Sequence, residues 1–409
     1  MLIKITKLKI FNNFQRKLTA DFKMVFFGRV VINSASQLIG LFLPIFLYKF
    51  LDMNLFLVIV YYLLLDFLYL NFIIIGCRQI MNRVGIKRSL QISIIFVSLY
   101  YAFLLLLDKF FVLNNSFLGI NFIWWLIPAV LFSLMFRLTH WVPFHTNMAE
   151  LTDRRIRASQ LSLMEATMMV LGAIMPIIAG LVLSSLGFSY LFLMTLLIFL
   201  LSIIPFSFTP KIEEKFSWTY KKTWKVFFSK KFRKNVISYM GDGAESIVGI
   251  VIWPIFIWKL LEGDYLQIGL ISSIIIVATI VLQLLVGGLI DKSTNRNKWL
   301  RYGSFFYSIG WIFKVFISGA LQIFIFSTYH NISRIFSRTS FDTLNYDIAS
   351  NQGHYVDEYN VIREMAIMLG KIIMGLIIIV IAPFLPLSYI FLLAALASLS
   401  MSLLSANKK

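Results

Sequence analysis

Runs of about twenty apolar residues recur along this chain, separated by short basic connections, and no other feature constrains its fold as much. A helix needs roughly 20 such residues to cross the roughly 30 Å hydrocarbon core of a bilayer. Twelve stretches qualify, near residues 25–50, 53–77, 89–108, 117–140, 158–184, 188–208, 237–260, 265–290, 300–318, 320–342, 359–382 and 386–405. Several exceed the minimum length, so tilt or extension past the bilayer is expected. Hydrophobic residues make up 59% of the 409, more than a soluble domain of this size could hide. The expected class is an all-α polytopic membrane protein with 12 transmembrane helices, its 40 Phe and nine Trp supplying a lipid-facing surface and aromatic belts.

A formal net charge of +19 in a soluble protein would point to nucleic acid. Here the basic residues fall between the apolar runs, so they read as topology signals and no nucleic-acid partner is expected. An even number of crossings puts both termini on one side. Alternate connections and their flanks hold 32 of the 38 Lys and Arg, counting Arg137, Arg334, Arg338 and Arg363 among them, while the opposite face holds only Lys49, Lys109 and Lys259. The positive-inside rule then places both termini in the cytoplasm and the protein in the inner membrane. The single cysteine, Cys77, excludes an intramolecular disulfide framework and a Cys-rich metal site. Neither a metal nor a cofactor is expected, and without a Gly-x-x-x-x-Gly-Lys-Ser/Thr loop ATP is not the direct energy source.

The connections divide the chain. Residues 1–24 form a basic interfacial lead-in, 25–208 a first set of six helices, 209–236 a cytoplasmic linker and 237–409 a second set of six. In the linker Tyr220, Trp224, Phe227 and Phe228 fall at helical spacing among lysines, which predicts an amphipathic helix on the inner leaflet. The sets look related: "MVLGAIMPIIAGL" (169–181) aligns with "IMLGKIIMGLIII" (367–379), Gly172 on Gly370. Internal duplication around a midplane site is common in secondary transporters.

Two connections carry a motif. "GGLIDKSTNRNKWL" (287–300) has Gly287, Leu289, Asp291, Lys292 and Arg296 in the order Gly-x-Leu-x-Asp-basic followed by a trailing basic residue. "RQIMNRVGIKRSL" (78–90) has Arg83, Gly85 and Leu90 in register, with Asn82 at the Asp position and Arg78 at the first Gly. After the fourth span, "ELTDRRIRA" sets Arg157 seven residues beyond Glu150. With the six-plus-six layout, these residues resemble the major facilitator superfamily over the whole chain. That resemblance implies two bundles alternating access around a central site, with Asn82, Arg83, Gly85, Glu150, Arg157, Gly287, Asp291, Lys292 and Arg296 in a cytoplasmic gate. It also implies that helices 1, 4, 7 and 10 line a cavity, flanked by 2, 5, 8 and 11.

Charge at membrane depth is costly and marks function by default. Asp66 lies in the middle of the second span, Glu165 in the fifth, Asp242 and Glu245 in the seventh and Lys371 in the eleventh. Asp242 and Glu245 are about one helical turn apart on one face and form a candidate proton or cation site, or else a hydrated helix start. Arg29, Asn33 and Gln37 make one polar stripe on the first span. These eight residues are the expected substrate and coupling-ion site, with Asp66 or Glu245 carrying the coupling proton. Lys314, on the ninth span, is expected to snorkel to the interface.

The expected function is secondary active transport of a polar or charged small solute, coupled to H+, by a monomer in a lipid bilayer. A lipid or lysophospholipid flippase, or a broad-specificity drug exporter of the same fold, is the alternative. An intramembrane enzyme would have to use His140 and His145, which also read as an interfacial aromatic belt. No zinc-protease or nucleophile-elbow motif accompanies them, and a non-transporting receptor lacks an output domain.

Overall fold

A computed structural model of the chain describes residues 20–113, 124, 126–152, 156–212, 215–290, 296–350 and 355–404. Most of the lead-in 1–24 lies outside them. The described residues are helical through most of each expected span. The first span is two pieces, α1 (Ala20–Gly40) and α2 (Leu43–Phe50), bent by 40° where they meet. Then come α3 (Leu55–Arg83), α4 (Ile86–Leu113), α5 (Leu126–Leu151), α6 (Arg157–Ser185), α7 (Phe188–Leu201) and the short α8 (Ile203–Ser207). The linker holds α9 (Tyr220–Phe227). Beyond it α10 (Arg233–Ile247), a π-helical turn (Val248–Ile252) and α11 (Trp253–Leu260) run on as one rod, followed by α12 (Tyr265–Ile290), α13 (Arg296–Lys314), α14 (Ala320–Ser350), α15 (Val356–Ile381) and α16 (Ile390–Ser400).

Eight spans among the described residues are long and apolar enough to cross a membrane, and nine if α1 and α2 are one crossing. The polar residues of α13 and α14, and the shortness of the helical stretch 387–403, keep these out of that count. Large apolar side chains such as Phe56, Phe67, Leu197 and Leu396 point outwards, more than half exposed, as a lipid-facing surface requires. The chain is an integral membrane protein.

Proline explains the two irregular rods. Pro44 and Pro254 have no N–H to give to the carbonyl four residues earlier, so the helix bends ahead of Pro44 and widens into the π turn ahead of Pro254. A repeat surrounds both prolines: "PIFLYKFLDMN" (44–54) and "PIFIWKLLEGD" (254–264) share Pro-Ile-Phe, Lys and Leu in register. They close with the same hydrogen bonds, Met53 N to Tyr48 O and Gly263 N to Trp258 O, both at 2.9 Å. The left-handed residues correspond too, Asp52 and Met53 against Glu262 and Gly263.

Helices before the linker pack mainly on one another, as do those after it, and among the described residues the main pairings that cross between the sets are α6 with α12, α3 with α15, α5 with α15, α2 with α11 and α5 with α14. Within the later set α10 lies tightly on α15. A Cβ on Gly243 would strike the Ile367 carbonyl and one on Gly370 the Met240 carbonyl, so both positions must stay bare.

Two expectations fail here. α5 runs on to Leu151, well past residue 140, and Arg137 lies in its interior rather than in a connection. Arg334 and Arg338 sit inside α14, and Arg363 inside α15. These four arginines belong to the helix bundle because each has an anion or an aromatic hydroxyl nearby to compensate it.

Candidate functional site

Asp66, 1% exposed in the middle of α3, accepts a hydrogen bond from Nη1 of Arg137 on α5 at 2.5 Å. The expected coupling carboxylate is thus held in an ion pair. On α1, the Arg29 guanidinium lies over the rings of Phe144 (4.7 Å) and Trp141 (5.8 Å) of α5. The Asn33 amide donates back to the Arg29 carbonyl at 3.0 Å. Gln37, one turn further, rests beside Gly172 of α6, where a Cβ would come within 3.7 Å of its amide. Of this stripe, Asn33 turns back on its own helix, while Arg29 and Gln37 make no hydrogen bond among the described residues.

Asp242 and Glu245 lie on one face of α10, 5% and 7% exposed. With α10 beginning at Arg233, they are not a hydrated helix start. Their partners differ. Asp242 takes Nη1 of Arg338 at 2.5 Å, while Nε of Arg338 reaches Asp342 one turn along α14 at 3.0 Å. Glu245 accepts the Tyr307 hydroxyl of α13 at 2.6 Å. Arg334, Ser337, Arg338 and Met401 close round Glu245 and Tyr307 with essentially no space for a water molecule between them.

At the α5–α15 contact, Nη1 of Arg363 lies 3.3 Å both from Nε2 of His145 and from the carboxylate of Glu364. Lys371, two turns along α15, is half-buried without a hydrogen bond. Glu165 of α6 is exposed, also without one, in a field set by Asp342, Arg338, Arg29 and Arg334.

Three further expectations need correction. Lys314 does not snorkel; it is 3% exposed, with Nζ clamped between Trp253 (4.0 Å) and Trp311 (4.2 Å). Two indole faces hold the ammonium more effectively than a short stem could lift it to water. His140 is not interfacial: it is fully buried, Nδ1 3.1 Å from the Ser93 hydroxyl, its ring stacked between Phe136 and Phe144. His145 is mostly buried as well.

The gate residues fare unevenly. Asp291 and Lys292 lie outside the described residues. Gly287 lies in the last turn of α12, Arg296 and Arg157 begin α13 and α6, and nothing is described of their side chains. Glu150 is exposed near the end of α5 and Arg83 at the end of α3, and Gly85 takes a left-handed φ of 80° that turns the chain into α4. Asn82 has the definite role. Its Nδ2 donates to the Phe216 carbonyl (3.0 Å) and its Oδ1 accepts the Phe216 N–H (2.9 Å). The next linker residue, Ser217, donates both N–H and hydroxyl to Glu358 of α15 at 2.8 and 2.6 Å. The linker therefore fastens the end of α3 to the start of α15. At the far end of the bundle, Lys49 donates to the Tyr265 hydroxyl (3.1 Å), Lys259 lies over Tyr48 (5.0 Å), and Tyr48 meets Trp258 edge to face.

Sequence reasoning missed Arg137, Arg334, Arg338, Asp342, Arg363 and Glu364. Arg334, Arg338 and Asp342 were detectable, since 4-residue spacing sets them on one stripe of α14.

No family model matches the sequence, and no curated protein matches it. Among solved structures, the crystal structure of the E. coli fucose:proton symporter, FucP, superposes with a TM-score of 0.63 over 93% of this chain and 96% of that one, at 13% identity. This chain therefore shares the fold of that symporter, a major facilitator protein.

Proposed function

We propose that the protein is a secondary transporter of a polar or charged small solute, cycling by alternating access between two six-helix sets joined by the linker. In this reading twelve crossings place both termini in the cytoplasm, and the protein works as a monomer. The carrying observation is the density of ionised side chains on the faces where the two sets meet. Arg29, Glu165, Arg338, Asp342, Arg363 and Glu364 lie inside helices that this reading takes across the bilayer, where charge without a task is expensive. A flippase or drug exporter would want that space apolar, so a polar solute is favoured. The E. coli structural neighbour is a proton symporter, which supports coupling to H+ here.

The coupling group in this reading is Glu245 rather than Asp66. Asp66 is neutralised by Arg137 at 2.5 Å, and gaining a proton would break that pair. Glu245 is held by a neutral hydroxyl beside an uncommitted Arg334, so its proton can come and go while Arg334 takes up or releases the charge. The test is solute flux in proteoliposomes. Glu245→Gln should abolish accumulation driven by a pH gradient and spare counterflow, with Asp66→Asn affecting both alike. A Glu245→Gln protein that still concentrates solute on a pH gradient removes the assignment, and a wild type that moves no polar solute removes the transport reading.

A further inference from the structure

At the linker end lies an acidic pair that the transport reading does not use. Asp357 and Glu358 occupy the first turn of α15 and are 1% and 0% exposed. Glu358 gives one oxygen to the Ser217 N–H and hydroxyl. Its other oxygen, and both oxygens of Asp357, are buried with no hydrogen-bond partner. The two carboxyls lie within hydrogen-bond reach of each other. Carboxylates only accept, so two ionised groups side by side leave three buried oxygens stranded. One proton turns Asp357 into a donor and Glu358 into its acceptor.

Among the described residues no cation is paired with either carboxyl. From α3 the Cys77 thiol faces Asp357 and Glu364, while Arg78 and Arg83 are exposed. Lys222 of α9 lies over the rings of Trp218 and Tyr355. Further along α15, Arg363 is engaged by Glu364 and by His145 of α5. From α10, Tyr239 bonds the Tyr359 hydroxyl and Asn345 of α14.

We propose that Asp357 and Glu358 form a proton-binding site that keeps the linker fastened to α15. With one proton between them, Glu358 stays the carboxylate that Ser217 grips, and the first turn of a helix favours one such charge. Loss of the proton to water sets two buried anions side by side, and the pair regains solvation by letting go of Ser217. The fastened linker therefore binds one proton more than the released one, so its hold is present at low pH and is lost as pH rises. Asn82 holds Phe216 with no titratable group, which makes Ser217 the responsive half of the contact. The pair is on a different helix from Glu245 and stands whether or not Glu245 couples transport.

The test follows the linker and the proton separately in the full-length, detergent-purified protein. Hydrogen exchange of the Phe216 and Ser217 amides, corrected for the intrinsic pH dependence of exchange, is measured over roughly pH 6 to 9, the range in which paired, buried carboxyls take up a proton. Protection should fall as pH rises, at its steepest by about tenfold per unit, the slope of one proton. Asp357→Asn, whose amide donates to Glu358 without titrating, should keep its protection across the range. In infrared spectra near neutral pH, the carbonyl stretch of protonated carboxylic acid should weaken in Asp357→Asn. It should weaken equally in Glu358→Gln, whose amide supplies Asp357 with the donor that the proton provided. Protection that ignores pH, or that falls in Asp357→Asn as it does in wild type, overturns the proposal. An acid band that keeps its full strength in Asp357→Asn overturns it as well, and in each case the transport reading is untouched.

Discussion

Replacing Arg137 with Met isolates the cost of one intramembrane ion pair. The change keeps the apolar stem and removes the charge, so Asp66, 2% exposed in its side chain, loses the only partner it shows among the described residues. A stranded buried charge costs about 3–5 kcal/mol in soluble proteins. The value is capped by the alternative of protonating the carboxyl, about 4 kcal/mol at neutral pH for a group that ionises near 3.9 in water. Hydrogen bonds between membrane helices average only about 0.6 kcal/mol, because the disrupted state finds other partners. The buried, singly partnered position of Asp66 decides for the larger figure, roughly 3 kcal/mol. The assay is reversible unfolding in mixed detergent and SDS for wild type, Arg137→Met, Asp66→Asn and the double variant. Each single change should destabilise, and the double should recover at least about 1 kcal/mol of coupling. The deficit of Arg137→Met should shrink as pH is lowered from 7.5 to 5.5, because its remedy is a proton. A deficit below about 1 kcal/mol, unchanged by pH, would show that Asp66 is not held as described.

Other outcomes follow from single contacts. Asn82→Asp turns an amide that both donates to and accepts from Phe216 into a carboxylate facing a carbonyl; losing one bond worth about 1 kcal/mol should raise trypsin cleavage in the linker about fivefold, measured by intact-mass time course. Lys314, enclosed by Trp253 and Trp311, should resist acylation by an amine-reactive ester that labels Lys221 and Lys225 readily; equal labelling by mass spectrometry would return it to the interface. A reducible bifunctional thiol reagent joining Tyr48→Cys to Trp258→Cys, where two ring side chains now meet, should arrest solute exchange until reduced; uninterrupted flux in the cross-linked protein would show that the far end need not open.

The spans were legible because twenty-residue hydropathy is a long signal. Their ends, and the inward faces of α5 and α14, were not. Helices that continue past the bilayer or line a polar interior lose hydropathy just where they matter, so Arg137, Arg334, Arg338 and Arg363 looked like loop cations. Asp66, Asp242 and Glu245 stood out for the opposite reason, as acids in apolar company, but a sequence does not pair an acid with a base on another helix. Lys314 was misjudged because its clamp is built from Trp253 of the neighbouring rod. The Pro-Ile-Phe repeat was present at residues 44–54 and 254–264 and could have been found by self-comparison. The Asp291 loop, the closest match to the family motif, lies outside the described residues, while its degenerate counterpart carries the Asn82 contact to the linker.

That contact bears on how the two ends are balanced. At the linker end, Asn82 and Glu358 make four hydrogen bonds to Phe216 and Ser217, two of them to a carboxylate, worth a few kcal/mol together. At the far end, one lysine–hydroxyl bond, two cation–π contacts and an edge-to-face ring pair sum to a similar figure. The crossing helices α6 and α12 touch through backbone at Gly180, where a Cβ would come 2.7 Å from the Tyr265 carbonyl, so no interlocked side chains tie them there. Neither end is sealed by a contact much stronger than the other. A ligand that prefers one arrangement by only a few kcal/mol can therefore shift the population between them. Alternating access requires that condition, and weakening one end alone, as Asn82→Asp does, should bias the resting protein towards opening at that end.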